Sequence, residues 1–373
     1  MNKNDQDLEG VFDKDHSEVL QSIKLNRILL PVFLGLAVVI FLLYRSFDIN
    51  EFRDITWDQH ILIWISVAIL FLVLRHCAYA FRIYILSDKK FSWWKCVELI
   101  FVWEFSSAVS PTSVGGSAVA FFVLAQEKLS TAKTATIVTY TIVLDTLFFV
   151  ITLPIWTAIL GFSIIRPNME SFRDLDALGF TFIFAYLAMA AYGFLFYWGL
   201  FQQPKKIKQF LSWVTKLKPL KRFNEKAIAL GDDIMIASKE MRLKDWTFHL
   251  KAFLSTFCAW TFRFTILSSL IIAFTPISID FQTQFALFAR LETMFVIIAF
   301  SPTPGGAGVI EALFSSFFTD YLEQGTQTLV ISFIWRIITY YSYLIIGAFI
   351  IPNWIRKVIN TRKQKRIQQR KSM

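Results

Sequence analysis

Two short stretches interrupt long apolar runs with nearly the same residues: Ser110-Pro111-Thr112-Ser113-Val114-Gly115-Gly116 and Ser301-Pro302-Thr303-Pro304-Gly305-Gly306. Proline removes a backbone donor and glycine frees the backbone, so neither run can continue as one straight helix. Hydrophobic residues make up 55% of the chain, charged ones only 18%, and the mean hydropathy is +0.51. That composition excludes an ordinary soluble domain and places both breaks inside a membrane protein. Broken backbone at membrane depth persists only where it is buried in protein or lines a wet cavity. Each break follows an intramembrane acid, Glu104 or Glu292, and precedes a charge about thirty residues further on, Asp145 or Arg336. Paired breaks of this kind point to a binding site built from an internal repeat.

The rest of the chain supplies six segments long enough to span: approximately Ile28–Phe47, Ile61–Leu86, Thr134–Phe162, Phe180–Phe201, Trp246–Phe274 and Thr326–Ile351. The interrupted segments, Trp93–Gln126 and Thr283–Phe318, each divide into two arms around a Pro/Gly apex. An arm of about fifteen residues reaches only ~22 Å, too short for a ~30 Å hydrocarbon core but long enough to enter and return. The sequence therefore predicts an all-α membrane protein with about six spans and two re-entrant hairpins.

Loop charges agree with that count. Lys89, Lys90 and Lys95, the loop with Lys205, Lys206, Lys208, Lys216, Lys218, Lys221 and Arg222, and the basic tail from Arg356 all fall on one side. Acidic segments with Asp48, Glu51, Asp54 and Asp58, or Glu170, Asp174 and Asp176, fall on the other. The positive-inside rule makes the basic side cytoplasmic, with both termini. If the broken segments crossed fully, the most basic loop would move outside. The two hairpins then enter from opposite faces, which is inverted topology. The expected organisation is a polar N-terminus over 1–27, a membrane domain over 28–355 and a basic tail over 356–373. Within it, 204–244 reads either as an interfacial helix on the inner leaflet or as a solvated helical connector. Residues 1–27 lack the pattern of a cleaved leader, so Ile28 onward is expected to remain as an anchor.

The net charge of +10 sits in loops and tail, and no nucleic-acid recognition motif accompanies it, so anionic headgroups are the better partner. Trp57, Trp93, Trp94, Trp198, Trp246 and Trp354 near the ends of apolar runs suit aromatic belts. Cys77, Cys96 and Cys258 form no CxxC pair, and His16, His60, His76 and His249 are scattered, so neither a disulfide framework nor a metal site nor another cofactor is expected.

The run Arg82-Ile83-Tyr84-Ile85-Leu86, the stretch Phe105 to Ala120 and Asp145 resemble the first half of the lysylphosphatidylglycerol synthase membrane domain. The second half is matched by Ser301-Pro302-Thr303-Pro304-Gly305-Gly306-Ala307-Gly308-Val309-Ile310-Glu311. The resemblance covers roughly 20–355, although Thr112-Ser113-Val114 departs from the family's more usual Leu-Pro-Gly pattern. It implies a flippase-like domain of a bacterial cytoplasmic membrane. Larger relatives add a soluble aminoacyl-transferase domain, for which this chain has no room, so the implication is lipid translocation without lipid synthesis. The lipid would be an anionic or zwitterionic phospholipid or a polyprenyl-phosphate carrier. Candidate protein partners are a second copy and a separate lipid-synthesising enzyme.

Charges held in a membrane are costly and normally face a cavity or one another. Asp145, Arg263 and Arg336 are expected near the midplane, Glu104 and Glu292 on the entry arms of the hairpins, and Glu311 on an exit arm. Arg75 and Arg82 lie close enough to the inner face to snorkel. The candidate substrate site therefore comprises Glu104, Ser110, Pro111, Gly115, Gly116, Asp145, Arg263, Glu292, Ser301, Pro304, Gly305, Gly306, Glu311 and Arg336. Apex glycines would let a phosphate approach free helix N–H groups, and the arginines would add two-donor contacts. The acids would hold the arginines, or take a proton or a cationic headgroup. The competing explanation is a set of buried ion pairs fixing helix register. Alternative functions are a lipid-modifying transferase, weakened by the absence of a nucleophile–base or nucleotide motif, and a non-transporting scaffold.

Overall fold

A computed structural model describes residues 49–109, 120–121, 123–127, 129, 131–165, 167, 169–216, 221, 224–277, 279–301, 303, 305–306, 309–322 and 325–371. The expected first span, the residues before it and the first Pro/Gly apex, with Ser110, Pro111, Gly115 and Gly116, lie outside these. Among the described residues the chain is helical, with no strand.

The elements in chain order are α1 (Ile49–Asp54), α2 (Gln59–Leu86), α3 (Trp93–Ala108), α4 (Thr131–Leu160), α5 (Ala177–Tyr197), α6 (Pro204–Val214) and α7 (Asn224–Arg242). There follow α8 (Trp246–Phe274), α9 (Phe281–Ile298), α10 (Val309–Phe317), α11 (Thr326–Arg336) and α12 (Ser342–Lys371). Wide π turns extend α5 (Trp198–Gln202) and join α11 to α12 (Ile337–Tyr341).

Five of these stretches are long and apolar enough to cross a membrane: Gln59–Leu86, Lys133–Leu160, Ala177–Gln202, Trp246–Phe274 and Thr326–Val358. They coincide with five of the six spans read from the sequence, within three residues at each end except that the last runs seven residues further, to Val358. Their starts are marked chemically. Asp58, Asp176 and Asp245 cap α2, α5 and α8 by accepting from the N–H groups of Ile61, Gly179 and Phe248. A carboxylate there satisfies an orphan donor and complements the helix dipole. Lipid-facing positions remain apolar and exposed, as at Leu62, Ile63, Ile69 and Leu70 on α2 and Phe180, Phe184 and Leu187 on α5.

Among the described helices, α2 and α8 pack against each other most extensively. Close approach elsewhere depends on small residues. A Cβ on Gly193 of α5 would sit 2.2 Å from the Thr146 methyl of α4, and one on Gly347 of α12 would sit 2.4 Å from the Phe105 ring of α3. Glycine lets the backbones meet there.

Segment 204–244 is two helices rather than one. α6 and α7 pack on each other, and α7 also packs on α4. Lys133 of α4 bridges Asp88 (2.6 Å) and Glu240, while Lys244 reaches Asp88 at 2.6 Å. On α6, Ile207 is buried and Phe210 and Trp213 are exposed, which leaves an apolar stripe beside its lysines. α12 continues without a break through the basic segment to Lys371. Its Lys, Arg and Gln residues are good helix formers and extend a helix already nucleated inside the bundle.

The second interrupted segment is a helix, a turn and a shorter helix. α9 ends at Ile298, Gly305 and Gly306 follow with φ of 55° and 68°, and α10 packs back against α9. Left-handed backbone at both positions explains the glycine pair.

The described residues form two large cores and one small cluster of Phe105, Ala108, Tyr340, Tyr341 and Leu344. One large core gathers Phe148, Phe264, Leu291, Phe314 and Trp335; the other gathers Ile83, Leu99, Ile137, Met241 and Ala259. The second adjoins the end that carries α6 and α7.

Candidate functional site

Between the cores lies a chamber of about 370 Å³. Its wall takes Ile100 and Val138 from one core and Val296, Ile310 and Trp335 from the other. Among the described residues, five charged side chains face it: Arg82, Glu104, Asp145, Arg263 and Arg336. Gly305 contributes backbone, and Tyr79, Trp103, Trp260, Phe295, Tyr340 and Tyr343 supply aromatic surface. A few placed charges in an apolar cavity are the usual makeup of a small-ligand site.

The charges are held in different ways. On α2, Arg75, Tyr79 and Arg82 follow spacings of four and three, which puts them on one helix face. The Tyr79 ring lies 5.2 Å from the Arg75 guanidinium and 4.8 Å from that of Arg82. Arg75 donates to Glu104 of α3 at 2.5 Å. Arg82 donates to Asp145 of α4 at 2.5 Å and to Thr256 of α8 at 3.2 Å. The indole N–H of Trp260 donates to the same Asp145 oxygen at 3.0 Å.

Arg263 of α8 is different. Its guanidinium stands 5.1 Å from the Trp260 ring and 4.8 Å from the Phe295 ring, within hydrogen-bonding reach of Tyr79 and in the field of Glu104, and it makes no contact ion pair with any described carboxylate. Aromatic faces stabilise a guanidinium without neutralising it. Arg336, 3% exposed, donates from Nη1 to the Gly305 carbonyl at 3.0 Å and stacks 4.2 Å over Tyr340.

The fold thus brings together Glu104, Asp145, Arg263, Gly305 and Arg336 from the residues singled out in the sequence. Glu292 is placed apart. It is fully buried in α9, where Thr152 and Trp156 of α4 meet its two oxygens, the latter at 3.1 Å. Phe149 and Phe295, which do line the chamber, are three residues from Thr152 and Glu292 on the same two helices. Ser301 is buried in the turn, with its hydroxyl 2.8 Å from that of Thr303. Gly306 donates its N–H to the Thr303 carbonyl at 3.1 Å and accepts from Ile310 N–H at 2.9 Å. That N–H is therefore engaged within the turn, and it is the Gly305 carbonyl that meets a cation. Pro304 lies outside the described residues, as does the Glu311 side chain, although Glu311 itself belongs to α10.

Two residues expected at the lipid surface are in the interior. Arg75 is 1% exposed and Arg82 5%. Distance from a helix end suggested snorkelling, but acids on neighbouring helices make burial affordable. The four-and-three spacing of Arg75, Tyr79 and Arg82 was the available signal. The aromatic holders Trp260 and Phe295 carried none, because aromatic residues crowd every apolar segment.

Comparison with known proteins agrees with this architecture. Residues 28–347 match the family described as the lysylphosphatidylglycerol synthase TM region. A UPF0104 membrane protein of Archaeoglobus fulgidus is 22% identical over 301 residues, covering 76% of this chain and 85% of that protein. No solved structure matches.

Proposed function

The chain belongs to the lysylphosphatidylglycerol synthase membrane-region family, and on that premise we propose that it translocates a phosphate-bearing lipid across a cytoplasmic membrane. The headgroup, of a phospholipid or a polyprenyl phosphate, passes through the chamber while the acyl chains stay in the bilayer. One observation carries this reading: Arg263 faces the chamber between two aromatic rings without a described carboxylate partner, whereas Arg75 and Arg82 are each matched by one. A matched arginine builds the wall. Arg263 is held by rings and by the Tyr79 hydroxyl and shares the field of Glu104 with Arg75, but with no carboxylate in contact it keeps a planar two-donor fork that suits a phosphate. The basic end with α6 and α7 faces the cytoplasm by the positive-inside rule, and α9, its turn and α10 form a re-entrant hairpin entering from the other side.

The test is translocation of fluorescent phosphatidylglycerol in proteoliposomes, read by quenching of the outer leaflet. Wild-type protein is expected to move the probe. Arg263→Lys should slow it, and Arg263→Gln should abolish it. Full activity in Arg263→Gln overturns the role given to that residue. An inactive wild type with every lipid class offered overturns translocation itself, and conversion of a lipid in detergent micelles would favour a transferase.

A further inference from the structure

Glu292 is a buried acid that the chamber does not use. Its neighbours from each packed element are countable. From α4 come Thr152 and Trp156, with Asp145 two turns away and already held by Arg82. Tyr186 of α5 donates its hydroxyl to the Val150 carbonyl at 3.4 Å. Arg263 of α8 packs on Phe295, one turn along α9 from Glu292, and makes no ion pair with Glu292. Arg290, two residues earlier on α9, is committed to Asp320, 2.6 Å away, and to the carbonyls of Ser163 and Phe317. From α10, Glu311 is the ionisable residue whose side chain lies outside the description. No cation among the described residues touches Glu292.

Hydrogen counting decides which form this arrangement suits. The Thr152 hydroxyl lies 2.7 Å from the Phe148 carbonyl and also within bonding distance of Glu292. A hydroxyl carries one hydrogen. If Glu292 were a carboxylate, two acceptors would compete for it, and an uncompensated anion would be buried. If Glu292 is the acid, its own O–H donates to Thr152, Thr152 donates to Phe148, and the Trp156 indole N–H serves the second carboxyl oxygen. Every group is then satisfied, and no charge is buried.

We propose that Glu292 is a proton-binding site that couples headgroup passage to a transmembrane proton gradient, with Thr152 as its switch. This rests on the translocation reading above. At release the carboxyl O–H bond breaks, its electron pair stays on the carboxylate, and the proton passes to water. Thr152 then turns its hydrogen from the Phe148 carbonyl to the carboxylate, so both forms have donors without moving a helix. The site is one helical turn from the chamber, behind Phe149 and Phe295, on the side away from the basic end.

Two measurements test it. In purified protein, infrared difference spectra between acid and alkaline pH should contain a protonated-carboxyl band that Glu292→Gln removes. In proteoliposomes of phosphatidylethanolamine and phosphatidylglycerol, an imposed gradient of about one pH unit should bias movement of fluorescent phosphatidylglycerol, by at most about tenfold per proton. Glu292→Gln keeps the acid's hydrogen-bond pattern and should fold, yet lose the gradient response. Thr152→Val should lose it too, and Thr152→Ser should retain it. Absence of the infrared band overturns the proton site. An unchanged gradient response in Glu292→Gln overturns the coupling alone, whereas a wild type that moves no lipid overturns the coupling together with the translocation reading.

Discussion

At the level of the chamber the two halves of the chain treat charge differently. In the first half, Arg75 meets Glu104 and Arg82 meets Asp145 across helix boundaries. In the second half, Arg263 packs on Trp260 and Phe295, Glu292 meets Thr152 and Trp156, and the two charges do not pair. The contrast is local, because Arg290 at the far end of the same half does have its acid, Asp320. A matched pair fixes helices against one another and has little left to offer a ligand. A cation among rings and an acid among neutral donors keep their interaction capacity in reserve. The first half is thus read as frame and the second as working surface.

The largest effect should come from breaking a first-half pair. Glu104→Gln strands the buried Arg75 guanidinium, and the cost of such a loss is about 3–5 kcal/mol. Combining it with Arg75→Met removes the stranded charge and should restore most of that stability, as read by thermal unfolding in a fixed detergent. A single mutant as stable as wild type would end the idea that the first half is frame.

Gly305→Ala comes next. It imposes a side chain at φ 55° and would place a Cβ 2.1 Å from the Tyr340 ring. Strained backbone of this kind costs about 1–3 kcal/mol. Adding Tyr340→Leu should relieve the contact but not the dihedral, so the expected recovery is partial.

Arg263→Gln sharpens the comparison from the other side. Losing its ring contacts should cost only about 0.5–2 kcal/mol, so the protein should fold with lipid movement gone. A stability loss as large as that of Glu104→Gln would assign Arg263 to the frame instead.

The smallest effect concerns the network at the basic end. Burial pushes the Asp88 carboxyl upward, but hydrogen bonds from Lys133 and Lys244 outweigh it and hold the group below its usual range. A depressed carboxyl contributes stability that is complete above its unfolded value, about 3.9, and is lost as pH falls through the folded one. Asp88→Asn should therefore flatten part of the acid limb of a stability–pH profile while leaving the limb above about pH 6 unaltered in slope.

Much of the architecture was legible because hydropathy reports which segments can cross. Five spans and the break at Gly305-Gly306 follow from apolar length and from residues that only left-handed backbone requires. Pairing was not legible. Nothing along the chain says that Asp145 will face Arg82 rather than Arg336, because partnership across helices depends on rotation about each axis. The same limit hid the separation of Glu292 from the chamber: one helical turn distinguishes wall from core, and the ends of α9 were not known to a turn. Segment 204–244 divided into two helices for a related reason, since a helical pattern does not reveal where the chain folds back on itself.

The rings between Glu292 and the chamber also set an order in time. Side-chain rotation takes roughly picoseconds to nanoseconds where it is unhindered, whereas sliding or tilting a packed helix such as α9 takes roughly microseconds to milliseconds. A proton waiting behind Phe149 and Phe295 needs only ring motion and a thread of water, while a lipid headgroup needs the helices to part. Protonation would then reach equilibrium many times for each lipid that crosses. Flux after a sudden pH jump should follow the new pH without a lag, and heavy water should shift the pH dependence of the rate without introducing a slow phase.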